Sequence, residues 1–180
     1  VDGMLAEISA KGLIVDGVIN NAGYGHPGLF LDSTWEEHDR FNRLMVDVVV
    51  EATRKLLPGM VERGFGHVIN ISSIGVLTNA PRFSAYVASK AALDSFTRCA
   101  ASELAHQGIH FTTINMPLVR TPMIAPTKLY DYVPTLTPEQ AGDMIVSAIL
   151  EKPKRIASPL GTTAQISYAL WPKVNDFVLH

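Results

Sequence analysis

Four short runs of β-branched and apolar residues alternate along the chain with longer stretches in which apolar residues recur at helical spacing. The runs cover residues 15–20, 67–72, 109–115 and 155–158, and each is typical of a strand buried on both faces. Strands that alternate with helices predict βαβ units, which build a mainly parallel sheet covered by helices. We therefore expect a doubly wound α/β sheet in a single domain spanning residues 1–180.

The starts of two helices are marked by sequences of the capping-box form, Ser33-Thr34-Trp35-Glu36 and Thr137-Pro138-Glu139-Gln140. In the first, we expect the Ser33 hydroxyl to accept from the third helical N–H while the Glu36 side chain reaches back. In the second, Pro stands at the first helical position, where its missing N–H costs nothing. That helix should run to about Glu151. The longest predicted helix covers residues 84–106, and Gly108 supplies its stop.

The charges of the chain are scattered and nearly balanced, with 15 Lys and Arg against 17 Asp and Glu. This balance gives no electrostatic basis for binding nucleic acid, and no apolar run approaches the roughly 20 residues that span a bilayer. The single Cys99 cannot form an internal disulfide or a multi-cysteine metal site, and His106 and His110 lack an acidic partner. We therefore expect no metal site and a cytoplasmic location.

The strongest chemical signal is Tyr86-Val87-Ala88-Ser89-Lys90. A phenol and an ammonium four residues apart share one face of a helix, where the positive charge should lower the pKa of Tyr86 and make it a usable general acid or base. Ser73 lies at the end of a predicted strand, thirteen residues earlier, and its hydroxyl could donate to a carbonyl oxygen. The alternative is that Ser72 and Ser73 only satisfy backbone groups at the strand end.

A third segment, Asn20-Asn21-Ala22-Gly23, directly follows the first predicted strand. Its small side chains allow the backbone to approach a ligand closely, although a tight turn with Asn hydrogen bonds would use the same residues. In parallel sheets ligands bind beyond the carboxyl ends of the strands. The segments after Asn20, Ser72 and Asn115 are therefore the places where we expect chemistry.

Taken together, these motifs resemble the short-chain dehydrogenase/reductase family over practically the whole chain. The resemblance rests on Asn-Asn-Ala-Gly at 20–23, Ser73, Tyr86-x-x-x-Lys90, and Pro117 with Thr121. It implies a Rossmann-like fold and hydride transfer between NADP or NAD and a carbonyl or alcohol carbon. It also implies that Tyr86 exchanges the proton, Lys90 tunes it and binds the ribose, and Ser73 holds the substrate oxygen. The implied cofactor-binding residues are Asn21, Ala22, Gly23, Tyr86, Lys90, Pro117, Val119 and Thr121.

The chain departs from the family pattern in three places. The glycine-rich turn that holds the pyrophosphate is not among these residues, so we expect a sheet truncated at its amino-terminal side and a chain that is inactive alone. The family's Asn in the helix before Pro58 is replaced, either by Asp47 or by Met45. The usual Pro-Gly is Pro117-Leu118, which places a bulky side chain where the family has none.

Residues 115–128 are similar to a bacterial subgroup that includes fatty acyl-coenzyme A reductases, which reduce an acyl thioester with NADPH. The resemblance favours NADPH, a hydrophobic small-molecule substrate and an apolar lid over residues 123–136, with Met123, Ile124, Leu129, Tyr130 and Val133. It also implies a homodimer or homotetramer, paired through the helix at 35–57 and the helix that begins at Ser84. Two alternatives remain open: a non-catalytic scaffold or pseudoenzyme, and a flavodoxin-like binding domain.

Overall fold

The computed structural model describes residues 1–124, 130 and 132–179. Eight α-helices and four β-strands follow one another through these residues, with a 3-10 turn at Phe30–Asp32 and a π-helical segment at Arg43–Asp47. In chain order they are α1 (Asp2–Ala10), β1 (Gly17–Asn20), α2 (Trp35–Asn42), α3 (Val48–Arg63), β2 (Gly66–Ser73), α4 (Gly75–Thr78), α5 (Ser84–Glu103), β3 (Ile109–Met116), α6 (Pro138–Glu151), β4 (Arg155–Ala157), α7 (Pro159–Leu170) and α8 (Pro172–Leu179).

The four strands form one sheet in the order β1-β2-β3-β4, and every neighbouring pair is parallel. This confirms the predicted parallel α/β sheet. The expectation of burial on both faces holds for β2 and β3 but is wrong for β1 and β4, which retain exposed or half-buried positions throughout. The reason is their place in the described sheet, since β1 and β4 are its two edge strands.

Apolar clusters cover both faces of the sheet, as a doubly wound fold requires. On one face Met60 of α3 and Ala100 of α5 pack with Val68, Ile109 and Phe111 of the two central strands. On the other face Ala148 of α6 packs with alternate residues of the same strands, Ile69, Ile71 and Ile114. The period-two alternation of side chains along β2 and β3 therefore supplies both cores.

The first capping box is shifted by one residue from its predicted place. Thr34, and not Ser33, is the N-cap of α2: its side chain accepts from the Glu37 N–H, while the Glu37 carboxylate accepts from the Thr34 N–H. The prediction failed because two hydroxyl residues precede two carboxyl residues here, so both registers satisfy the same pattern. The second box, at Thr137 and Gln140, is confirmed, and its helix ends at Glu151 as expected.

The two glycines behind α3 and α5 meet each other. Gly64 ends α3 in the left-handed region at φ 66°, and Gly108, at φ 73°, precedes β3. A Cβ built on Gly108 would overlap the Gly64 carbonyl oxygen. The prediction of α5 as the longest helix is confirmed, but the helix ends at Glu103 with Leu104 as its C-cap. The predicted extension to residue 106 and the stop at Gly108 are wrong, because residues 104–108 form turns. Within the described residues, the helices are too short or too polar to cross a membrane.

Gly108→Ala in the full-length protein should lower the free energy of unfolding by at least about 2 kcal/mol, because a side chain there is strained and meets backbone. The matched control is Gly142→Ala within α6, where a Cβ meets nothing within 4 Å. That change should raise the free energy of unfolding by about 0.5–1 kcal/mol, because Ala is the better helix former. Urea denaturation measures both, and equal effects of the two changes would contradict the close approach at Gly108.

Candidate active site

The carboxyl ends of β1, β2 and β3 meet at one edge of the sheet, as expected for parallel strands. Asn20 lies in register with Asn70, and its side-chain amide donates to the side-chain oxygen Oδ1 of Asn70 at 2.7 Å. The Asn70 amide in turn donates to Thr97 of α5 at 2.8 Å. These buried hydrogen bonds fix β1 and α5 against β2, so the segments that follow the strands start from defined positions.

Lys90 is buried at this edge, with only 4% of its surface exposed. Its ammonium donates to the carbonyl oxygen of Ile71, on β2, at 2.7 Å. Burial lowers the pKa of Lys90 to about 8, and the negative charge of Asp94 acts in the opposite direction. Lys90 is therefore placed to change its protonation state near physiological pH.

The Tyr86 ring is enclosed by aromatic side chains one turn before Lys90 on α5. Phe83 and Phe41 both contact it edge to face, with centroid distances of 6.3 and 6.4 Å, and Tyr24 stacks on Phe41 at 4.6 Å. Burial raises the pKa of Tyr86 above its usual value of 10, while a hydrogen bond with Ser73 opposes the rise. The expectation that Lys90 lowers this pKa is wrong for the structure, because the ammonium is directed to Ile71.

The Ser73 hydroxyl interacts with both the backbone and the Tyr86 side chain. Its hydroxyl oxygen accepts from the Gly75 N–H at 3.0 Å, which is the strand-end role considered as the alternative. This bond uses an acceptor position and leaves the O–H of Ser73 as a donor. Ser72 is buried, and its hydroxyl oxygen accepts from the side-chain amide of Asn115 at 3.4 Å. The strand-end role of Ser73 and its role as a hydrogen-bond donor to a substrate oxygen are therefore compatible.

The loop after β1 faces both side chains of the α5 pair. A Cβ built on Gly23 would lie 3.6 Å from the Lys90 nitrogen, and one built on Gly25 would lie 3.9 Å from the Tyr86 ring. Asn21 and Ala22 are exposed beside them. A ligand that approaches this backbone would meet Lys90 and Tyr86 together, which fits the nicotinamide and ribose of a dinucleotide.

The segment after β3 leaves the sheet at the same edge as the segments after β1 and β2. Pro117, Val119 and Thr121 are half-buried there, and Val119 pairs with Leu136 in an isolated parallel bridge. The Arg120 N–H donates to the Leu136 carbonyl oxygen at 2.8 Å, so the predicted lid is tied down where it ends. Of that lid, residues 125–129 and 131, which include Leu129, lie outside the described residues.

Tyr130 belongs to the described part of the lid, and it lies within electrostatic range of the catalytic candidate. Burial raises its pKa, and the Tyr86 phenol raises it further. From the sequence, Tyr130 was expected only as an apolar lid residue. Its proximity to Tyr86 could not be read from a spacing of 44 positions along the chain, which the fold alone closes.

The π-helical segment Arg43–Asp47 separates the two candidates for the family's Asn position. Met45 is fully buried, and its sulfur would lie 3.2 Å from a Cβ on Gly23. Asp47 is exposed. The side chain of this segment that lies beside Gly23 and Lys90 is therefore the apolar thioether of Met45, and no polar side chain of Arg43–Asp47 replaces the Asn there.

A cavity of about 150 Å³ opens beside Tyr86. Its lining includes the aromatic side chains of Phe41 and Phe83 together with the charged residues Asp32, Glu37 and Arg82. These aromatic lining residues were not predicted from the sequence. A signal existed for Phe83, which stands three residues before Tyr86 and so shares its side of α5, but Phe41 comes from a different helix and carries no such signal.

Comparisons with known proteins show the family to which the chain belongs. A sequence profile described as short chain dehydrogenase matches residues 1–129. The chain belongs to that family. A fatty acyl-CoA reductase of Acinetobacter baylyi is 52% identical over 182 residues, which cover 99% of this chain and 61% of that protein. Another, from Mycobacterium tuberculosis, is 39% identical over 176 residues, covering 96% of this chain and 60% of that protein. The chain thus spans about three fifths of these relatives.

Solved structures share the fold. A short-chain dehydrogenase from Streptomyces avermitilis has a TM-score of 0.80 and 28% identity, with 98% of this chain and 76% of that chain covered. A 3-ketoacyl-(acyl-carrier-protein) reductase from Brucella melitensis, complexed with NADH, has a TM-score of 0.73 and 29% identity, with 88% and 66% covered. The predicted Rossmann-like fold and the family resemblance are both confirmed.

Lys90→Met in the full-length protein tests the buried charge by stability. The folded-state pKa of about 8 lies below the ordinary value of 10.5. Between these pH values the unfolded chain binds a proton that the folded protein has released, so the free energy of unfolding should rise with pH across this window. In Lys90→Met that rise should vanish, whereas in Lys173→Met, at an exposed position of α8, it should remain. Urea denaturation across the window measures it; a rise that persists in Lys90→Met would contradict the lowered pKa.

Proposed function

We propose that this protein is an NAD(P)-dependent oxidoreductase that transfers a hydride between the nicotinamide and a carbonyl or alcohol carbon. The observation that carries the proposal is the convergence of Tyr86, Ser73 and Lys90 at one edge of the sheet, against the backbone of Gly23 and Gly25. This is the edge at which parallel α/β sheets bind nucleotides. The names of the relatives, two of them fatty acyl-CoA reductases, support the same class of reaction.

Each residue of the centre has a separate task in this proposal. Ser73 donates its hydroxyl proton in a hydrogen bond to the substrate oxygen, because its acceptor side is occupied by the Gly75 N–H. Tyr86 transfers a proton to that oxygen as negative charge develops on it. Lys90 returns a proton to the phenolate. The residues that would hold the cofactor are Lys90, Asn21, Ala22, Gly23, Pro117, Val119 and Thr121. A bound nicotinamide would supply the hydride.

The protonation states favour reduction of a carbonyl. Burial raises the pKa of Tyr86, so the phenol carries its proton at neutral pH and is ready to act as an acid. Lys90, with a pKa of about 8, is an acid of suitable strength to restore that proton. Oxidation of an alcohol would require the opposite state of Tyr86 at the start of the reaction.

We further propose NADPH as the cofactor and a long-chain acyl thioester or other hydrophobic carbonyl compound as the substrate. The aromatic walls of the cavity beside Tyr86 and the apolar Met45 support an apolar substrate. NADH is the alternative cofactor, since the similar reductase of Brucella melitensis is described in complex with NADH. The other candidate function, a non-catalytic scaffold, is favoured by one observation: Met45 faces the centre where the family has Asn.

Assembly and location belong to the same proposal. A homodimer or homotetramer through α5 and the helical residues 35–57, which belong to α2, the π-helical segment and α3, is supported by the small residues at the start of α5, because these permit close helix packing. A cytoplasmic location is supported by the unpaired, exposed thiol of Cys99, which suits a reducing compartment.

Tyr86→Phe in the full-length protein should reduce turnover by about 10² to 10⁴, because the acid that protonates the substrate oxygen is removed. The matched control is Tyr168→Phe on α7, which removes a phenol from another part of the fold and should leave turnover unchanged. Oxidation of NADPH and of NADH is followed by absorbance with a long-chain acyl thioester. Near-full turnover in Tyr86→Phe would refute the assignment, and the lack of turnover in the wild-type protein with both cofactors would favour the scaffold.

The dependence on acyl chain length tests the substrate class. Each methylene that becomes buried should contribute up to about 0.8 kcal/mol, so kcat/KM should climb with chain length until the pocket is filled. The measurement is kcat/KM for a series of saturated acyl thioesters with a common thiol. A flat series with measurable turnover would exclude the lipid substrate and leave the reductase assignment in place.

A further inference from the structure

We propose that Asp94 is a positioning residue of this site: its buried carboxylate, held by the Asn115 amide that Arg155 orients, supplies the negative charge against which the Lys90 amine is held. This inference rests on the proposed function for its role in the reaction. The structural claim, that Asp94 and Lys90 act on each other, concerns the protein without any ligand.

Asp94 is placed one helical turn after Lys90 on α5, so the two side chains share a face of the helix. Only 5% of its surface is exposed, compared with 4% for Lys90. A buried carboxylate is costly unless it meets hydrogen bonds or a positive charge. One oxygen, Oδ2, accepts from the Asn115 amide at 3.1 Å, while Oδ1 has no hydrogen-bond partner within the described residues. The carboxylate is thus held by a hydrogen bond through one oxygen only, and the positive charge of Lys90 can offset part of the cost of burying its negative charge.

The orientation of the Asn115 amide is fixed by Arg155. A guanidinium can only donate, so the Asn115 carbonyl oxygen must face the Arg155 Nε, which lies 2.7 Å away. The amide nitrogen therefore points to the other side, where it meets Asp94 and lies 3.4 Å from the carbonyl oxygen of Ser73. One fully buried amide thus ties Asp94 to the end of β2, which carries Ser73.

Arg155 closes the chain of contacts at the surface. It lies on the edge strand β4, where its second donor group reaches Gln165 of α7 at 3.0 Å. The order Arg155, Asn115, Asp94 places a cation and an anion on the two ends of one amide, so each favours the same amide orientation. The hydrogen bonds thus run from the edge strand β4 to Asp94 on α5.

The groups around the Lys90 amine show why this charge matters. The Ile71 carbonyl oxygen accepts its hydrogen bond, Met45 brings only a thioether, and Tyr86 is a neutral phenol held protonated by burial. Burial alone disfavours the ammonium, and Asp94 is the group whose charge favours it. Arg155 acts with the opposite sign but from the far side of Asn115. Removing the Asp94 charge should therefore shift Lys90 toward its neutral amine.

The test follows Lys90 directly by NMR of the full-length protein labelled with carbon-13 at lysine Cε, the signal being assigned with Lys90→Arg. The wild-type signal should titrate with a pKa of about 8. In Asp94→Asn, which keeps the shape and removes the charge, the midpoint should fall by about one unit. Asp143→Asn, at an exposed position of α6, is the matched control and should leave the midpoint unchanged. In the active enzyme the alkaline limb of kcat/KM should move with the Lys90 midpoint.

An unchanged Lys90 midpoint in folded Asp94→Asn overturns the proposal. If that variant does not fold, the wild-type protein decides: the Asp94 carboxyl carbon should show a step at the Lys90 midpoint, because coupled charges respond reciprocally, and the lack of a step overturns the proposal. If the wild-type protein turns over no carbonyl substrate, the proposed function fails, yet the titration still decides the Asp94–Lys90 coupling.

Discussion

The buried ammonium of Lys90 is the constraint around which the rest of the site is arranged. A charge with 4% exposure must meet a hydrogen-bond acceptor and a counter-charge, and both come from fixed elements: Ile71 on β2 and Asp94 on α5. Placing Lys90 there brings Tyr86, one turn earlier, to the same edge, where Phe41 and Phe83 enclose it. The helix α5 therefore carries the centre, and the parallel strands determine where that helix lies.

Burial shifts the pKa values of the two proton-carrying groups in opposite directions. Burial holds the phenol of Tyr86 in its neutral, protonated form and moves Lys90 toward its neutral, deprotonated form. The two pKa values, which are nearly equal in ordinary surroundings, are thereby moved apart, so transfer of a proton from the Lys90 ammonium to a Tyr86 phenolate is favourable. In the proposed reaction this arrangement suits an acid that gives up one proton per hydride accepted by the substrate.

Much of the architecture was predictable because local patterns decide it. The four strands, the parallel sheet and the longest helix follow from apolar runs and helical spacing, and the Tyr86 and Lys90 pair follows from its spacing alone. One prediction was wrong because the local pattern allows two registers, so that Thr34 and not Ser33 is the cap. Another was wrong because a neighbour in space decides: Ile71 accepts from the ammonium that was expected to act on Tyr86. Met45 and Phe41 reach the site through packing between elements, which no spacing along the chain encodes, whereas Asp94 shares the helix face of Lys90 through their spacing of four residues.

A crystal structure of the full-length protein with NADPH tests the central claim most directly. The account predicts that the nicotinamide end binds beside Gly23 and Lys90, with Tyr86 and Ser73 facing it from the substrate side. A cofactor bound with its nicotinamide remote from Lys90 and Tyr86 would contradict the claim that this edge of the sheet is the centre of hydride transfer.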